Sequence, residues 1–229
     1  ISLEENLKLI EDSIAFLKKN IKEVFFDAEH FFDGYKANPE YAIKVLKAAA
    51  AGGADVIVLA DTNGGTMYYE VGDIVEAVKK EIKRPLGIHA HNDSGMAVAN
   101  SLESVRHGII QVQGTINGYG ERCGNANLST IIANLQLKKD YELVPREKLG
   151  LLTSTARIIA EISNITIEDS MPYIGKNAFA HKGGMHIDGV SKASHSFEHI
   201  NPELVGNERE FLLSEVSGRS TILEEIRRV

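Results

Sequence analysis

Short apolar runs alternate with amphipathic helical stretches along the first 135 residues, and nearly every apolar run ends in polar or glycine-rich sequence. The runs at 24–27, 55–60, 86–91 and 109–115 read as strands, with starts spaced by roughly 24 to 32 residues, which leaves room for one helical crossover between neighbours. Strands that are apolar throughout are covered on both faces, so the pattern predicts a parallel sheet sheathed by helices. In such α/β folds, open or closed, functional groups collect where the strands end.

The intervening stretches carry their own start and stop signals. Ser2 with Glu5 forms a capping-box pattern, and Leu3, Leu7, Ile10, Ile14 and Leu17 follow at helical spacing, predicting a helix from residue 3 to about Asn20. Asn38-Pro39 opens a second helix that Gly52-Gly53 closes. Val71, Ile74, Val75, Val78 and Ile82 mark a third helix, and 97–107 a fourth. Leu128, Ile131, Ile132 and Leu135 form the stripe of a helix beyond the fourth strand, and a further helix is expected over 145–163. The stretch 28–34 reads as a loop, as does the glycine-rich stretch 176–189 with its two histidines.

Composition narrows the function classes. A chain of 229 residues, 43% hydrophobic and 25% charged, can bury a substantial core. A formal charge of −7 argues against an extended surface for nucleic acid. No apolar run approaches the roughly 20 residues of a membrane helix and no leader-type sequence opens the chain, so no membrane partner and a cytoplasmic location are expected. One cysteine, Cys123, leaves no internal disulfide and no cysteine-rich zinc site, so any metal must be held by imidazole and oxygen ligands.

The chemistry-bearing residues sit at the strand ends. His89-Ala90-His91 closes the third strand, and period-two alternation sends both rings to one side, an arrangement suited to a divalent metal. The competing reading is one functional histidine and one satisfied by a backbone hydrogen bond. Asn92-Asp93-Ser94-Gly95 either orients those rings or simply caps the next helix, and Asn92 counts among the substrate-contacting candidates. Glu29, Asp61 and Thr62 lie past neighbouring strands and should line one mouth. Glu29 can serve as acid, base or electrostatic partner, or as a helix cap, and the Thr62 hydroxyl can bond a substrate carboxylate. Gly118, Gly120 and Gly124 let backbone amides crowd a ligand, and Arg122 adds a donor fork, unless the segment is a tight turn tied by its own salt bridge. It matches neither a P-loop nor a dinucleotide fingerprint. His181 and His186 are candidates for proton transfer.

Two runs carry a resemblance: Ile88-His89-Ala90-His91-Asn92-Asp93-Ser94-Gly95-Met96-Ala97-Val98-Ala99-Asn100 and Gln113-Gly114-Thr115-Ile116-Asn117-Gly118-Tyr119-Gly120-Glu121-Arg122-Cys123-Gly124-Asn125. With them the chain resembles the metal-dependent barrel enzymes that join an acyl-CoA to a 2-oxo acid or cleave the reverse bond: the isopropylmalate, homocitrate and citramalate synthases, with hydroxymethylglutaryl-CoA lyase as a relative. The resemblance implies an α/β fold, a (β/α)8 TIM barrel represented by its C-terminal half (strands 5 to 8, residues 1–165), followed by a small, mostly helical subdomain (166–229). The family's opening run, Asp-Thr-Thr-Leu-Arg-Asp-Gly, with a metal-binding aspartate and an arginine, has no counterpart here, and neither has its regulatory domain. The chain therefore looks truncated at both ends, and by itself is expected to bind metal weakly and to be inactive.

Carried over residue by residue, the resemblance implies that His89 and His91 are metal ligands, with Asn125 ligating directly or through water. Thr62 holds the 2-oxo acid carboxylate and Glu29 lies close to substrate. His186 assists acetyl-CoA activation, often at the partner's site across a homodimer, with His181 the lesser candidate. The resemblance also implies a divalent metal, Mg, Mn or Zn, and acetyl-CoA as cosubstrate. The runs 26–34 and 60–65 look most like the members that condense acetyl-CoA with pyruvate to (R)-citramalate, on a route to isoleucine. Condensation with 2-oxoisovalerate to 2-isopropylmalate, toward leucine, is the alternative, and a lyase of the hydroxymethylglutaryl-CoA type is a more distant one.

Overall fold

At the start of the chain, Ser2 accepts a hydrogen bond from the Glu5 N–H at 3.1 Å while the Glu5 carboxylate accepts from the Ser2 N–H at 2.7 Å, which closes the expected capping box and starts α1 (Leu3–Lys18). The computed structural model describes residues 1–182 and 184–212. Gly183 of the 176–189 stretch, and residues 213–229 of the expected subdomain, lie outside the described residues. Of the apolar stripe on α1, Ile14 is buried, whereas Leu3 and Leu17 stay exposed.

Four strands, β1 (Phe25–Ala28), β2 (Val56–Asp61), β3 (Leu86–Ala90) and β4 (Gln111–Gln113), pair in parallel in the order β1-β2-β3-β4. Between β1 and β2 run α2 (Phe31–Ala37) and α3 (Pro39–Gly52). The Asn38 side chain caps α3 by accepting from the Tyr41 N–H, and Pro39 stands in its first turn. The later crossovers are α4 (Tyr68–Glu81) and α5 (Ala97–Arg106), and α6 (Leu128–Lys138) comes after β4. The strand order never reverses, so the sheet advances one strand at a time in one direction.

Register assigns each side chain to a face. Ala60 aligns with His89 and His89 with Gln113; Asp27 aligns with Val58, Val58 with Gly87, and Gly87 with Gln111. Aligned residues share a face and successive residues alternate. One face therefore carries Asp27, Val58, Ala60, Gly87, His89, Gln111 and Gln113, and the other Ala28, Ile57, Leu59, Asp61, Ile88, Ala90 and Val112. A hydrogen bond of 2.8 Å from Asn100 of α5 to the Thr66 carbonyl, and another of 3.4 Å to the Asp61 carboxylate, put α5 on that second face. Ile57, Leu59 and Ile88 are fully buried, as are Leu46 of α3 and Val71, Val75 and Val78 of α4. Each such side chain contributes about 1.5–3 kcal/mol by leaving water.

Several local expectations shift. The stretch read as a loop at 28–34 turns helical at Phe31, because Phe31 and Phe32 are both buried there. The strand expected at 109–115 shrinks to 111–113: the Ile109 N–H bonds the Ser104 carbonyl, and the Thr115 N–H bonds the Ala126 carbonyl. The helix expected at 145–163 splits into a 3-10 segment, Arg146–Leu151, and α7 (Leu152–Ser163). The glycine-rich stretch is not a loop throughout: it contains β5 (Ala180–His181) and α8 (Gly184–Lys192).

The chain divides into two compact units, 1–131 and 132–229. In the second, β5 pairs in parallel with β6 (Glu210–Phe211), and Leu149, Leu152, Ala156, Tyr173, Ile174, Phe179, Ile187 and Val205 are buried. Buried Glu198 accepts from Arg209 through both carboxylate oxygens, at 2.6 and 2.5 Å, and lies 3.1 Å from Nε2 of buried His181. No described helix is long and apolar enough to cross a membrane.

Candidate metal and substrate site

The carboxyl ends of the first three strands are sewn together loop by loop. The His30 N–H donates to the Thr62 hydroxyl at 2.8 Å, and Ser94 donates to the Gly64 carbonyl through its N–H and, at 2.6 Å, its hydroxyl. Arg122 donates to both Asp93 carboxylate oxygens, at 2.8 and 3.1 Å, and to the Thr62 carbonyl at 2.6 Å. That pairing holds the Asp93 carboxyl below the usual carboxylate range and pushes the Arg122 guanidinium up. The fork expected at substrate is thus committed to its neighbours and joins three loops.

The two histidines converge. Nε2 of His89 and Nε2 of His91 lie 3.3 Å apart. Ligand bonds of about 2.0–2.1 Å to one ion at tetrahedral angles place two nitrogens about that far apart. Burial, then the proximity of His89 and Arg122, lowers the His91 pKa and favours the neutral ring a metal requires.

Residues 124–126 run antiparallel to 90–92. The Ala126 N–H bonds the Ala90 carbonyl and the Asn92 N–H bonds the Gly124 carbonyl, which leaves His91 opposite Asn125 as a non-hydrogen-bonded pair. Side chains of such a pair lie close on one side. The side-chain oxygen of Asn125 is buried without a hydrogen-bond partner, as is Nδ1 of His91. Two converging imidazoles beside an unsatisfied amide oxygen fit a divalent cation as a donor set. Among the described residues there is no cluster of three or more His, Cys, Asp or Glu that could hold one.

The remaining candidates separate. Glu29 is exposed at the end of β1, and Thr62 is half-buried with its oxygen accepting from His30. The Asn92 side-chain oxygen accepts from the N–H of Ala97, the first residue of α5, at 3.2 Å. Asp61 does not line the mouth: alternation turns it to the helix-covered face, where it is buried and accepts from the Thr66 hydroxyl at 2.8 Å. In the second unit, exposed His186 stands on α8 with its ring stacked on Phe197, centroids 4.3 Å apart.

Sequence reasoning missed Gln113 and Asp27. Nδ1 of His89 lies 2.9 Å from Oε1 of Gln113, and Nε2 of Gln113 donates to the Asp27 carboxylate at 3.1 Å. The period-two pattern that paired the histidines, extended across the register, is the signal that finds them.

Fold and site together define an α/β chain of the TIM-barrel-related kind, with a paired-histidine donor set where its third strand ends. The chain belongs to the HMGL-like family, whose model matches residues 1–159. A second model, homocitrate synthase post-HMGL domain-like, matches residues 173–229. A relative named (R)-citramalate synthase from Geobacter sulfurreducens is 57% identical over 97% of this chain and 42% of its own length, and one from Aquifex aeolicus is 55% identical over 99% and 43%. A 2-isopropylmalate synthase from Methanocaldococcus jannaschii is 37% identical over 96% and 42%. The chain thus spans about two fifths of the length of these curated relatives. Among solved structures, the HMG-CoA lyase of Bacillus subtilis superposes with a TM-score of 0.63 at 23% identity, covering 73% of this chain and 58% of that one, which shows the shared fold.

Proposed function

We propose that this chain is the C-terminal half of a (β/α)8 barrel, strands 5 to 8, with the start of a post-barrel subdomain from about residue 166, and that the whole protein condenses acetyl-CoA with pyruvate to (R)-citramalate and CoA in isoleucine biosynthesis. The observation that carries it is the pair of converging Nε2 atoms at 3.3 Å, at the carboxyl end of β3, in a chain 57% and 55% identical to two (R)-citramalate synthases and 37% identical to an isopropylmalate synthase. The half-barrel is supported by unreversed strand order and by the polar, partly exposed face that carries Asp27, His89 and Gln113.

His89, His91 and Asn125 would hold a divalent cation, Mg, Mn or Zn, which when bound would supply Lewis-acid polarisation to the keto group of a 2-oxo acid. The Thr62 hydroxyl, with its oxygen already fixed by the His30 N–H, keeps its own proton to donate to the substrate carboxylate. Asn92 and Arg122 shape the pocket by pinning its loops, and Glu29 provides a carboxylate at the mouth. His186, from one protomer of a homodimer, assists removal of a proton from the acetyl-CoA methyl group. The carbon so freed bonds to the keto carbon, the keto oxygen gains a proton, and water cleaves the thioester to release CoA. The enzyme acts in the cytoplasm without nucleic-acid or membrane partners.

Thiol release from acetyl-CoA by the whole protein, with pyruvate, 2-oxoisovalerate and 2-oxoglutarate compared with and without divalent metal, tests the assignment. Pyruvate should be preferred, and a clear preference for 2-oxoisovalerate defeats it. Replacing His89 and His91 together by alanine should abolish metal-dependent turnover; unchanged turnover defeats the site.

A further inference from the structure

Three residues on three different strands form an unbroken polar chain across the sheet face. The Asp27 carboxylate of β1 accepts from Nε2 of Gln113 on β4 at 3.1 Å, and Oε1 of Gln113 meets Nδ1 of His89 on β3 at 2.9 Å. The contacts join residues 86 and 24 positions apart, so they exist only because the register stacks these strands. Such a chain has a direction. A carboxylate only accepts, so the NH2 of Gln113 must face Asp27. The carbonyl of the same amide then faces His89, which obliges Nδ1 of His89 to carry the hydrogen. A neutral imidazole with its hydrogen on Nδ1 presents its lone pair at Nε2, the atom that faces Nε2 of His91 at 3.3 Å.

We propose that Asp27 and Gln113 are positioning residues that set the Nδ1–H tautomer of His89 and so aim its Nε2 lone pair at the cation shared with His91. The inference rests on the metal reading above. It extends that reading by adding two side chains that touch neither the metal nor the substrate. The arrangement is a carboxylate–histidine–metal relay with an amide interposed between carboxylate and ring. His91 has no equivalent anchor, since its Nδ1 is buried without a hydrogen-bond partner. The preformed geometry therefore depends on His89.

The test uses the whole protein with 15N-labelled histidine, in the metal-free state at a pH where imidazoles are neutral, together with cobalt(II) titration. Wild type should show a protonated Nδ1 and an unprotonated Nε2 at His89. Gln113→Leu should lose that preference and weaken cobalt binding 10- to 100-fold, the range such supporting partners command. Asp27→Asn frees the amide to turn over and should also mix the tautomers. The double variant Asp27→Asn, Gln113→Glu exchanges the two groups while keeping the direction of donation: the amide now on β1 donates to the carboxylate now on β4, which again leaves an acceptor at Nδ1 of His89. It should recover the tautomer and bring cobalt affinity back to within a few-fold of wild type, which mere space-filling does not explain. A Gln113→Leu protein with unchanged ring shifts and unchanged affinity overturns the proposal, as does a wild-type His89 that carries its hydrogen on Nε2. Wild type that binds no cobalt defeats the metal reading instead, and the ring shifts still report on the relay separately.

Discussion

Gly124 stands where two backbones nearly touch, and its substitution separates two kinds of strain. Its φ is 87°, a region that costs an L-residue roughly 1–2 kcal/mol, and a methyl group there would overlap the Gly118 carbonyl oxygen. That oxygen is itself fixed, because it accepts from the Asn125 N–H at 3.0 Å. Gly95 is the matched control: its φ is 74°, and a methyl group there meets nothing within 4 Å. Gly95→Ala should therefore cost about 1 kcal/mol and lower the melting temperature by roughly 2–4 °C. Gly124→Ala adds overpacking of about 1–3 kcal/mol against an atom that cannot yield, for a total near 3 kcal/mol and roughly 6–12 °C. Thermal and urea unfolding of the two variants give the comparison directly. Gly124→Ala should also impair cation binding, because the displaced segment carries Asn125 opposite His91, while Gly95→Ala should leave binding near normal. Equal destabilisation by the two variants would refute the reasoning, since the carbonyl contact is what distinguishes them.

Two further outcomes follow from buried carboxylates. Asp61→Ala should destabilise the chain by about 2–4 kcal/mol in urea unfolding, because the Thr66 hydroxyl and the Asn100 amide lose a buried acceptor; a change under about 1 kcal/mol counts against that role. Burial pushes the Glu198 carboxyl up, but hydrogen bonds from Arg209 and His181 outweigh it and hold the group below its ordinary value. A depressed carboxylate contributes stability above its unfolded pKa of about 4.3 and loses it as pH falls through the folded value. Arg209→Leu should thus cost about 3 kcal/mol near neutral pH, and the gap to wild type should narrow below the carboxylate range; a gap independent of pH contradicts the ion-pair account.

The parts of this fold that the sequence made legible are those decided within a few residues. Ser2 and Glu5, or Asn38 and Pro39, satisfy their own helix ends, so their pattern reads directly. The histidine pair was legible for the same reason, since alternation over three residues points both rings one way. Asp27 and Gln113 were not, because their role needs a register that brings β1, β3 and β4 side chains into line. A salt bridge at Arg122 was one of two readings open in the sequence, but its partner was not legible, because only the folded loops bring Asp93, 29 residues earlier, within 2.8 Å. The helical part of 176–189 was hidden by its glycines, although Ile187 and Val190 bury themselves at helical spacing.

The two faces of the sheet have a consequence for how such a chain can vary. In β3 the residue that packs under the helices, Ile88, and the residue of the candidate site, His89, are adjacent, and the same alternation of faces holds at Ala60 and Asp61. Substitutions will therefore sort with a two-residue beat, alternately touching stability and touching activity, and each property can drift with little disturbance to the other. Insertion or deletion of a single residue within the strand allows no such independence. It exchanges the two roles at once, sending histidine into the helix layer and isoleucine into the mouth, so the strand can change its letters but not its length.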